Sequence, residues 1–457
     1  MLFSNKSLIK MAIPLLIQNI LAYTIGMIDT MMVSSAGNAA VSGVSLVNAL
    51  DQMLVMVFYA ITVGGTVVTA QLLGAKDIKG AKSSAKQLLF AATLIAAVLS
   101  VVVLIFRRPL LSLLFGSVEE DVMKSAHGYF FFVSLSFPAL AVQSSCESIL
   151  RVEGKTGASM IVLGSANLLN VAGNYILIKI LGLGATGAAI STMVSRVISA
   201  AVMLVLVGSK KNILQVERLL HYKPDFPVIR KILRIGIPNG IENGMFNFGR
   251  LITQSLVATM PTGVIAANAV ANSLASIQYM PGNTINGIMA PVVGRCIGAH
   301  ENDQAKLYAR RLTFWTYLSM WLIAATTVLL QGPLIGLYDL EGEAAQLAKQ
   351  LILYHVAFEV IIWPIAFTLP NAFRSAGDVR YPMAVSIVSM WIFRILLAYF
   401  LVQEQVSILG MTLPGLGMGV IGIWVAMTVD WFVRGSVFFV HYLRGRWLRI
   451  PSLADEK

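Results

Sequence analysis

Long apolar runs recur through the whole of this 457-residue sequence, and they limit what the chain can fold into. Each run can cross the hydrocarbon of a bilayer, about 30 Å thick, as a helix of roughly 20 residues. Only 12% of the residues are charged, whereas soluble proteins carry about 25%. Because a helix satisfies its own backbone hydrogen bonds in lipid, we predict an all-α polytopic membrane protein. The twelve predicted spans are 8–33, 44–72, 87–106, 124–148, 156–181, 187–208, 235–259, 264–296, 312–330, 347–370, 383–403 and 419–443.

The net charge of +12 follows the predicted spans rather than marking a surface for nucleic acid. Basic residues concentrate in the connections after every second span, as in 76–86 and 210–234. Cytoplasmic loops of membrane proteins carry such an excess of lysine and arginine. We therefore predict a multi-pass protein of the cell membrane, with both termini in the cytoplasm and no nucleic-acid partner. The first run is too long for the apolar part of a signal peptide, so we predict that it is the first span.

The two halves of the sequence repeat each other at an offset of 224 residues. Segment 71–86 aligns with 295–310, and five of the sixteen positions are identical, which is well above chance. The same offset pairs Pro14 with Pro238. Because each repeat holds an even number of spans, both enter the membrane from the same side, and a pseudo-two-fold axis along the membrane normal relates them. This two-lobed plan is typical of transporters, with the substrate site in a cavity between the repeats.

A basic polar stretch at 208–231 separates the first six predicted spans from the last six. It contains Pro224 and Pro227 and is too polar to cross a membrane. We predict four segments along the chain: an N-terminal lobe at 1–208, a cytoplasmic linker at 209–234, a C-terminal lobe at 235–443 and a cytoplasmic tail at 444–457.

Ionisable residues inside the predicted spans are expensive to place in lipid, and this cost marks them as functional candidates. Two acid–base pairs, Glu147 with Arg151 and Asp430 with Arg434, are four residues apart and can neutralise each other on one helix face. Asp29, in the stretch YTIGMIDTMMVSS, has no basic residue within one helical turn. Its partners must therefore come from other helices.

The fifth and sixth spans offer polar partners for Asp29. Asn170 and Asn174 lie one turn apart on one face of the fifth span, and Thr192 lies in the sixth. Together with Asp29 they supply a carboxylate, two amides and a hydroxyl, which suit either a small cation or a carboxyl group that exchanges a proton. We predict that these four residues form a functional site for a small cation or for a proton, and the residues alone leave this choice open. The competing interpretation is a polar seam that only holds the helices together.

A second polar group lies in the seventh span, GIPNGIENGMFNFGRLITQS. Glu242 and Arg250 are two turns apart, so a straight helix does not bring them into contact. We predict that the acid faces a substrate cavity, and a buried ion pair with another span is the alternative. The predicted cavity residues are Glu242, Asn243, Phe246, Asn247, Glu359 and Arg196.

Several other classes of protein lack support in this sequence. The chain has two cysteines and five histidines, without CxxC, HExxH or GxGD spacing, so we predict no enzyme activity, no cofactor and no dedicated metal site. Neither a repeated filter sequence nor a polar ring indicates a channel. We expect a monomer in the lipid bilayer that handles small organic compounds.

The whole chain resembles the multidrug and toxic compound extrusion (MATE) transporters. The resemblance rests on the twelve spans in two sets of six, with AIP opening the first span and GIP the seventh. Further segments carry it: MIDTMMV in the first span, AQLLGAKD and GRCIGAHE after spans two and eight, and ILRVEGKT and AFRSAGDVRYP after spans four and ten. It implies a pair of six-helix bundles that export organic, often cationic or amphiphilic, compounds in exchange for H⁺ or Na⁺ by alternating access.

The resemblance also implies roles for individual residues. Asp29 corresponds to the coupling acid of the N-terminal lobe, and Asn170, Asn174 and Thr192 fall on the polar positions around it. Asn174 stands where some members carry a second acid, so the resemblance implies coupling to H⁺ rather than Na⁺, with Na⁺ as the alternative ion. Two acids of the C-terminal lobe in NorM-type members are replaced here by Phe246 and Trp363. The chain therefore looks closer to DinF-like members, which couple through the N-terminal lobe. A flippase for lipid-linked oligosaccharide or another lipid, from the same superfamily, is the alternative function.

Overall fold

Helices form most of the protein, as the apolar runs predict. The computed structural model describes residues 2–116, 118–216, 223–340, 342–408 and 411–455. These residues form two compact units, Met1–Gly240 with Leu453–Lys457, and Ile241–Ser452. The limits predicted for the lobes, linker and tail stay a prediction, and residues 217–222 of the linker lie outside the described residues.

The first unit is built from seven helices and the start of an eighth. A π-helical segment, Tyr175–Ile180, continues the sixth helix. The helices are α1 Asn5–Ser34, α2 Asn38–Gly74, α3 Ile78–Phe115, α4 Glu120–Leu135, α5 Phe137–Val152, α6 Thr156–Asn174, α7 Gly184–Gly208 and α8 Phe226–Ala258, which passes from this unit into the next.

The second unit contains the rest of the helices, two π-helical segments and one short hairpin that the apolar pattern did not predict. The π segments are Pro364–Thr368 and Met390–Leu396, and the antiparallel hairpin pairs β1 Gln405–Ile408 with β2 Met411–Pro414. A 3₁₀ turn, Arg446–Arg449, ends the unit. The helices are α9 Thr262–Gln278, α10 Met280–Gly298, α11 Asn302–Leu329, α12 Gln331–Gly336, α13 Gly342–Trp363, α14 Leu369–Ser375, α15 Arg380–Ser389, α16 Leu397–Val402 and α17 Val420–Arg444.

Every predicted span coincides with helix. Among the described residues, nine helical segments are long and apolar enough to cross a membrane, and a tenth is added if α4 and α5, bent by 46°, count as one span. The protein is therefore a multi-pass membrane protein. Two predicted spans, 235–259 and 264–296, do not meet this test of length and hydropathy. The first coincides with α8, which carries the polar residues Glu242, Asn243, Asn247 and Arg250. The second coincides with α9 and α10, which are short because the helix breaks at Tyr279.

Local sequence explains where helices begin and break. The Asp77 side chain caps α3 by accepting a hydrogen bond of 2.9 Å from the Gly80 amide. Pro138 lies in the first turn of α5 and Pro281 in the first turn of α10, where a missing amide hydrogen costs no helical hydrogen bond. The same prolines cannot donate to the preceding turn, so they favour the breaks at Ser136 and Tyr279.

Small and hydroxyl side chains allow the helices of the first unit to pack closely. A Cβ atom added to Gly43 of α2 would lie 2.8 Å from the backbone nitrogen of Ala126 on α4. Thr69 of α2 and Ser84 of α3 share a hydrogen bond of 2.9 Å between their buried hydroxyls. Small residues and interhelical hydrogen bonds are the usual means of helix association in lipid, where hydrophobic burial gives little drive.

Candidate functional site

The first candidate site is centred on Asp29 of α1. Its side chain is half-buried among the helices of the first unit. Oδ1 of Asp29 accepts a hydrogen bond of 2.8 Å from the side-chain amide of Asn174, which is fully buried. Asp29 has no basic residue within one turn of its own helix, and its hydrogen-bond partner instead comes from the fifth predicted span.

Asn170, one turn before Asn174 on α6, also reaches Asp29. The amide orientation that satisfies all its neighbours places its nitrogen 3.0 Å from Oδ2 and 3.1 Å from Oδ1 of Asp29. Both oxygens of the carboxylate then receive amide donors. Charge-assisted hydrogen bonds of this kind are stronger than those between neutral groups, so they offset part of the cost of a carboxylate inside a membrane.

Helix α7 fixes the position of Asn170. With the nitrogen of Asn170 toward Asp29, its oxygen lies 3.3 Å from each hydroxyl of Ser191 and Thr192 and 3.1 Å from the Thr192 amide. The Ser191 hydroxyl also donates to the backbone carbonyl of Asn170 at 2.7 Å. The structure thus brings together all four residues predicted for coupling, on three helices. Ser191 is an addition that the sequence did not single out.

The chemistry of this site suits a carboxyl group that gains and loses a proton. The amide nitrogen of Asn174 faces Asp29, whereas a bound cation needs several oxygen ligands around it. Oδ1 of Asn174 is buried and accepts no hydrogen bond from any described residue. Among the described residues there is also no cluster of three His, Cys, Asp or Glu side chains that could hold a metal ion.

Gly173 lets α6 pack against α7 beside this site. A Cβ atom added there would lie 2.4 Å from Oγ and 3.2 Å from Cβ of Ser191. We expect Gly173→Ala to displace Ser191 from Asn170, to lower export severalfold and to destabilise the protein by about 1–3 kcal/mol through overpacking. Transport in proteoliposomes and the thermal unfolding midpoint in detergent measure the two effects.

Gly157 provides a matched control for this substitution. It lies in the first turn of the same helix, and a Cβ atom added there would meet nothing within 4 Å. We expect Gly157→Ala to leave transport and thermal stability unchanged. Equal behaviour of the two alanine variants would contradict a role for the close α6–α7 contact in holding Asn170.

Arg196 does not join this site, although it lies one turn after Thr192. Its guanidinium is 3.6 Å from Oδ2 of Asp51 and donates a hydrogen bond of 2.9 Å to the Ser136 hydroxyl. Asp51 has little exposure, with 15% of its side chain accessible. The ion pair gives Arg196 a structural partner within the first unit, and a role in a substrate cavity stays a prediction.

Glu242 of α8 forms an ion pair, which is the alternative to a free cavity-lining acid. Its Oε1 accepts a hydrogen bond of 2.6 Å from Nη2 of Arg374, and both side chains are about nine-tenths buried, with 11% exposed. Nη1 of Arg374 donates to Oδ1 of Asn371 at 2.9 Å. The arginine of the AFRSAGDVRYP segment thus neutralises the acid of the seventh predicted span.

The other predicted cavity residues of the second unit occupy two different environments. Asn247 donates a hydrogen bond of 2.9 Å to the backbone carbonyl of Asn243, and Phe246 is half-buried on α8. Glu359 of α13 is completely buried, with its Oε2 3.2 Å from Nε2 of His355. The hydroxyl of Tyr279 lies 3.1 Å from the same nitrogen. The roles of these residues in substrate binding stay predictions.

Comparison with known proteins agrees with the resemblance. A family model described as MatE matches the chain twice, at residues 14–176 and 238–400, and the matches cover more than half of it. The chain belongs to the MATE family. The two matches are 224 residues apart (238 − 14), which equals the offset of the sequence repeat. MATE proteins are transporters rather than enzymes and need no cofactor, whereas the DinF-like subtype stays a prediction.

Relatives cover nearly the full length of this MATE protein. An uncharacterized transporter YisQ of Bacillus subtilis is 28% identical over 97% of the chain and 95% of the relative. A probable multidrug resistance protein NorM of Thermotoga maritima is 26% identical over 99% of the chain and 95% of the relative. These relatives support a multidrug efflux transporter.

Solved structures show that the fold is the MATE fold. A crystal structure of MATE in the straight conformation superposes with a TM-score of 0.87 at 18% identity, covering 97% of this chain and 96% of that one. A transporter of the MOP superfamily from Pyrococcus furiosus, whose binding pocket is described as having reverse polarity, gives a TM-score of 0.85 at 18% identity, with 97% and 96% covered. At these identities the likeness concerns the fold alone.

Proposed function

We propose that this MATE transporter exports small organic compounds across the cell membrane by alternating access, in exchange for protons that bind at Asp29. Both termini lie in the cytoplasm in this proposal, and the monomer is the working unit. The observation that carries it is the hydrogen bonding of one carboxylate to two buried amides on a neighbouring helix.

Protonation changes what Asp29 can do. The ionised carboxylate accepts hydrogen bonds from Asn170 and Asn174, whereas the protonated acid has become a donor with reduced acceptor capacity. At least one amide of α6 must then find another partner or move. The proton therefore favours one arrangement of α1 against α6. If the exported compound favours the other arrangement, the two ligands are linked and their exchange is coupled.

The donor set favours H⁺ over Na⁺ as the coupling ion. Asn174 is uncharged, so Asp29 is the one acid of the group, and amide nitrogens face it. Sodium would require both amides to turn and present their oxygens. In that orientation the Asn170 nitrogen would face the hydroxyls of Ser191 and Thr192 at 3.3 Å, which is a weaker arrangement than the one that satisfies all partners.

The charge of the exported compound is a separate matter from the coupling ion. The resemblance implied organic, often cationic, compounds, and Glu242 was the predicted cavity residue that could meet a cation. That acid is paired with Arg374, and the other two acids of the C-terminal predicted spans, Glu359 and Asp430, also have basic neighbours within the second unit. We therefore propose amphiphilic organic compounds as the substrate class.

Imposed gradients test the coupling ion directly. The purified chain is reconstituted in proteoliposomes, and uptake or release of a fluorescent amphiphile is followed under a pH gradient or a Na⁺ gradient of the same size. We expect transport under the pH gradient and none under the Na⁺ gradient alone. Transport driven by Na⁺ at constant pH would overturn proton coupling.

A further inference from the structure

A group of charged residues in the second unit has more arginine than acid. Asp430 of α17 accepts a hydrogen bond of 3.1 Å from Nη2 of Arg434, one turn later on the same helix. Its Oδ2 lies 3.6 Å from Nε of Arg394, which belongs to the π segment Met390–Leu396. Arg250 of α8 interacts electrostatically with Arg394. Two guanidinium groups therefore share one carboxylate, and Arg250 adds positive charge to their surroundings.

Two phenylalanine rings cover the flat faces of these guanidinium groups. Cζ of Arg394 is 5.0 Å from the ring centre of Phe246, and Cζ of Arg434 is 4.3 Å from that of Phe367. The two rings meet edge to face with their centres 6.2 Å apart. Stacking of this kind leaves the N–H groups at the edge of each guanidinium available, because the ring occupies only its face.

Arg394 has unused hydrogen-bond donors. Its side chain is about nine-tenths buried, with 9% exposed, and its ion-pair contact with Asp430, Nε to Oδ2 at 3.6 Å, is longer than a hydrogen bond. A guanidinium group has five N–H donors, and a buried donor without a partner is unfavourable. The same holds for Nε of Arg434, which is buried and has no acceptor among the described residues. The group lacks acceptors as well as negative charge.

The neighbouring groups do not remove this excess. Glu359 contributes to the electrostatic environment of Tyr279, as do Arg394 and Arg250, but its carboxylate lies beside His355. The Tyr279 hydroxyl is already 3.1 Å from Nε2 of His355. Among the described residues, Asp430 is the one carboxylate within ion-pair distance of Arg394 and Arg434. These two arginines therefore carry one positive charge more than their acidic partner.

We propose that Arg250, Arg394 and Arg434 form a binding site for an organic anion, a carboxylate, sulfonate or phosphate attached to an apolar body. The planar guanidinium group matches such oxyanions with paired hydrogen bonds. Phe246 and Phe367 provide the apolar surface beside the charge. The site implies that acidic amphiphiles are substrates of this transporter, and this inference rests on the proposed export function.

An oxyanion on an apolar body has two sources, an exported organic acid and an anionic lipid. Both present the same chemistry to the arginines. An exported organic acid binds from water without any anionic lipid, whereas a lipid headgroup binds only where such a lipid is present. Binding measured with and without anionic lipid therefore separates the two sources.

Binding of two naphthalene compounds of opposite charge tests the site. The full chain in a neutral detergent is titrated with 2-naphthoate and, separately, with (2-naphthylmethyl)trimethylammonium, and binding is followed by calorimetry. We expect the anion to bind the wild-type chain and Arg250→Gln to weaken it by about tenfold, since one charged hydrogen-bond donor is lost. Arg250→Lys should restore part of the loss. Tighter binding of the cation, or an unchanged affinity for the anion in Arg250→Gln, would overturn the proposal.

The control removes the same charge elsewhere in the second unit. Arg310 of α11 is exposed and lies outside the cluster, so Arg310→Gln should bind 2-naphthoate as the wild type does. A loss of affinity equal to that of Arg250→Gln would show a general effect of net charge and would overturn the site. Arg250 is exposed, so its substitution avoids the folding risk of Arg394 and Arg434.

Two further measurements identify the source of the anion and separate this site from proton coupling. Phosphatidylglycerol that competes with 2-naphthoate, with a dependence on Arg250, would support the site with a lipid headgroup as its occupant. If phosphatidylcholine, which has no net charge, competed with 2-naphthoate equally well, the proposal that the site recognises negative charge would be overturned. The titration uses no ion gradient, so anion binding by Asp29→Asn supports the site even where transport is lost.

Discussion

Replacing Asp29 by asparagine is expected to lower proton-driven export by about tenfold or more, because the coupling between two ligands of a transporter is commonly worth this much. Asparagine keeps the size of the side chain and can still hydrogen-bond to Asn174, whose amide donates to Asp29 at 2.8 Å. It cannot gain or lose a proton. Export of a fluorescent amphiphile from proteoliposomes under a pH gradient measures the effect.

Asp121→Asn is the matched control for this substitution. Asp121 is an exposed acid in the first turn of α4, within the same unit. Its replacement should leave the initial rate unchanged, while Asp29→Glu should retain part of the export because it keeps a proton-exchanging group. Full proton-driven export by Asp29→Asn, in a variant that inserts and purifies normally, would contradict the proposed coupling at Asp29.

Arg374→Met is expected to destabilise the protein by about 3–5 kcal/mol, because removing one partner of a buried ion pair leaves the other charge uncompensated. Glu242 would then keep a carboxylate that is 11% exposed and has lost its charged donor at 2.6 Å. Oε2 of Glu242 already has no hydrogen-bond donor among the described residues, so nothing nearby replaces the arginine. The thermal unfolding midpoint and the yield of folded protein in detergent measure the loss.

The double variant Glu242→Gln with Arg374→Met separates charge from packing. Removing both charges should recover much of the lost stability, since a neutral side chain in place of each ion avoids the cost of an unpaired one. Arg310→Met, which removes an exposed arginine from the same unit, should change stability little. If the double variant were as unstable as the single one, the pairing of Glu242 with Arg374 would not explain the effect.

The helices of this protein were predictable because lipid restricts the backbone strongly. Runs of apolar residues located all twelve predicted spans on helix, including those that contain polar side chains. The break at Tyr279, the π segments and the pairing of β1 with β2 were missed, since the hydrophobic pattern locates whole spans rather than single turns. Pro281 was a signal of the break at Tyr279.

The contacts between polar side chains on different helices were less predictable than the positions of these side chains along each helix. Asn170 and Asn174, which the helix periodicity placed on one face, both lie against Asp29, and Thr192 lies against Asn170. The pair Glu147 and Arg151 forms at its predicted spacing. Periodicity describes neighbours on one helix or one face. It gives no distance between helices.

The partners of ion pairs between distant parts of the chain were not predictable from the sequence. Glu242 and Arg374 are 132 residues apart in the sequence and 2.6 Å apart in the structure. Asp430 was expected to pair with Arg434 alone, and Arg394 lies beside it as well. The long-range partners change the interpretation of the C-terminal predicted spans, because their acids are occupied and an arginine is left over.

The three π-helical segments among the described residues constrain how this chain can vary in length. Each contains or directly follows a side chain discussed above: Tyr175–Ile180 comes after Asn174, Pro364–Thr368 contains Phe367, and Met390–Leu396 contains Arg394. A π turn holds one residue more than an α turn, so deletion of a single residue there leaves a continuous α-helix with the residues beyond it on nearly the same face. The same deletion from a regular α turn would rotate everything beyond it by about 100° about the helix axis. The π segments are therefore the places within these helices where the loss of one residue moves the polar groups least.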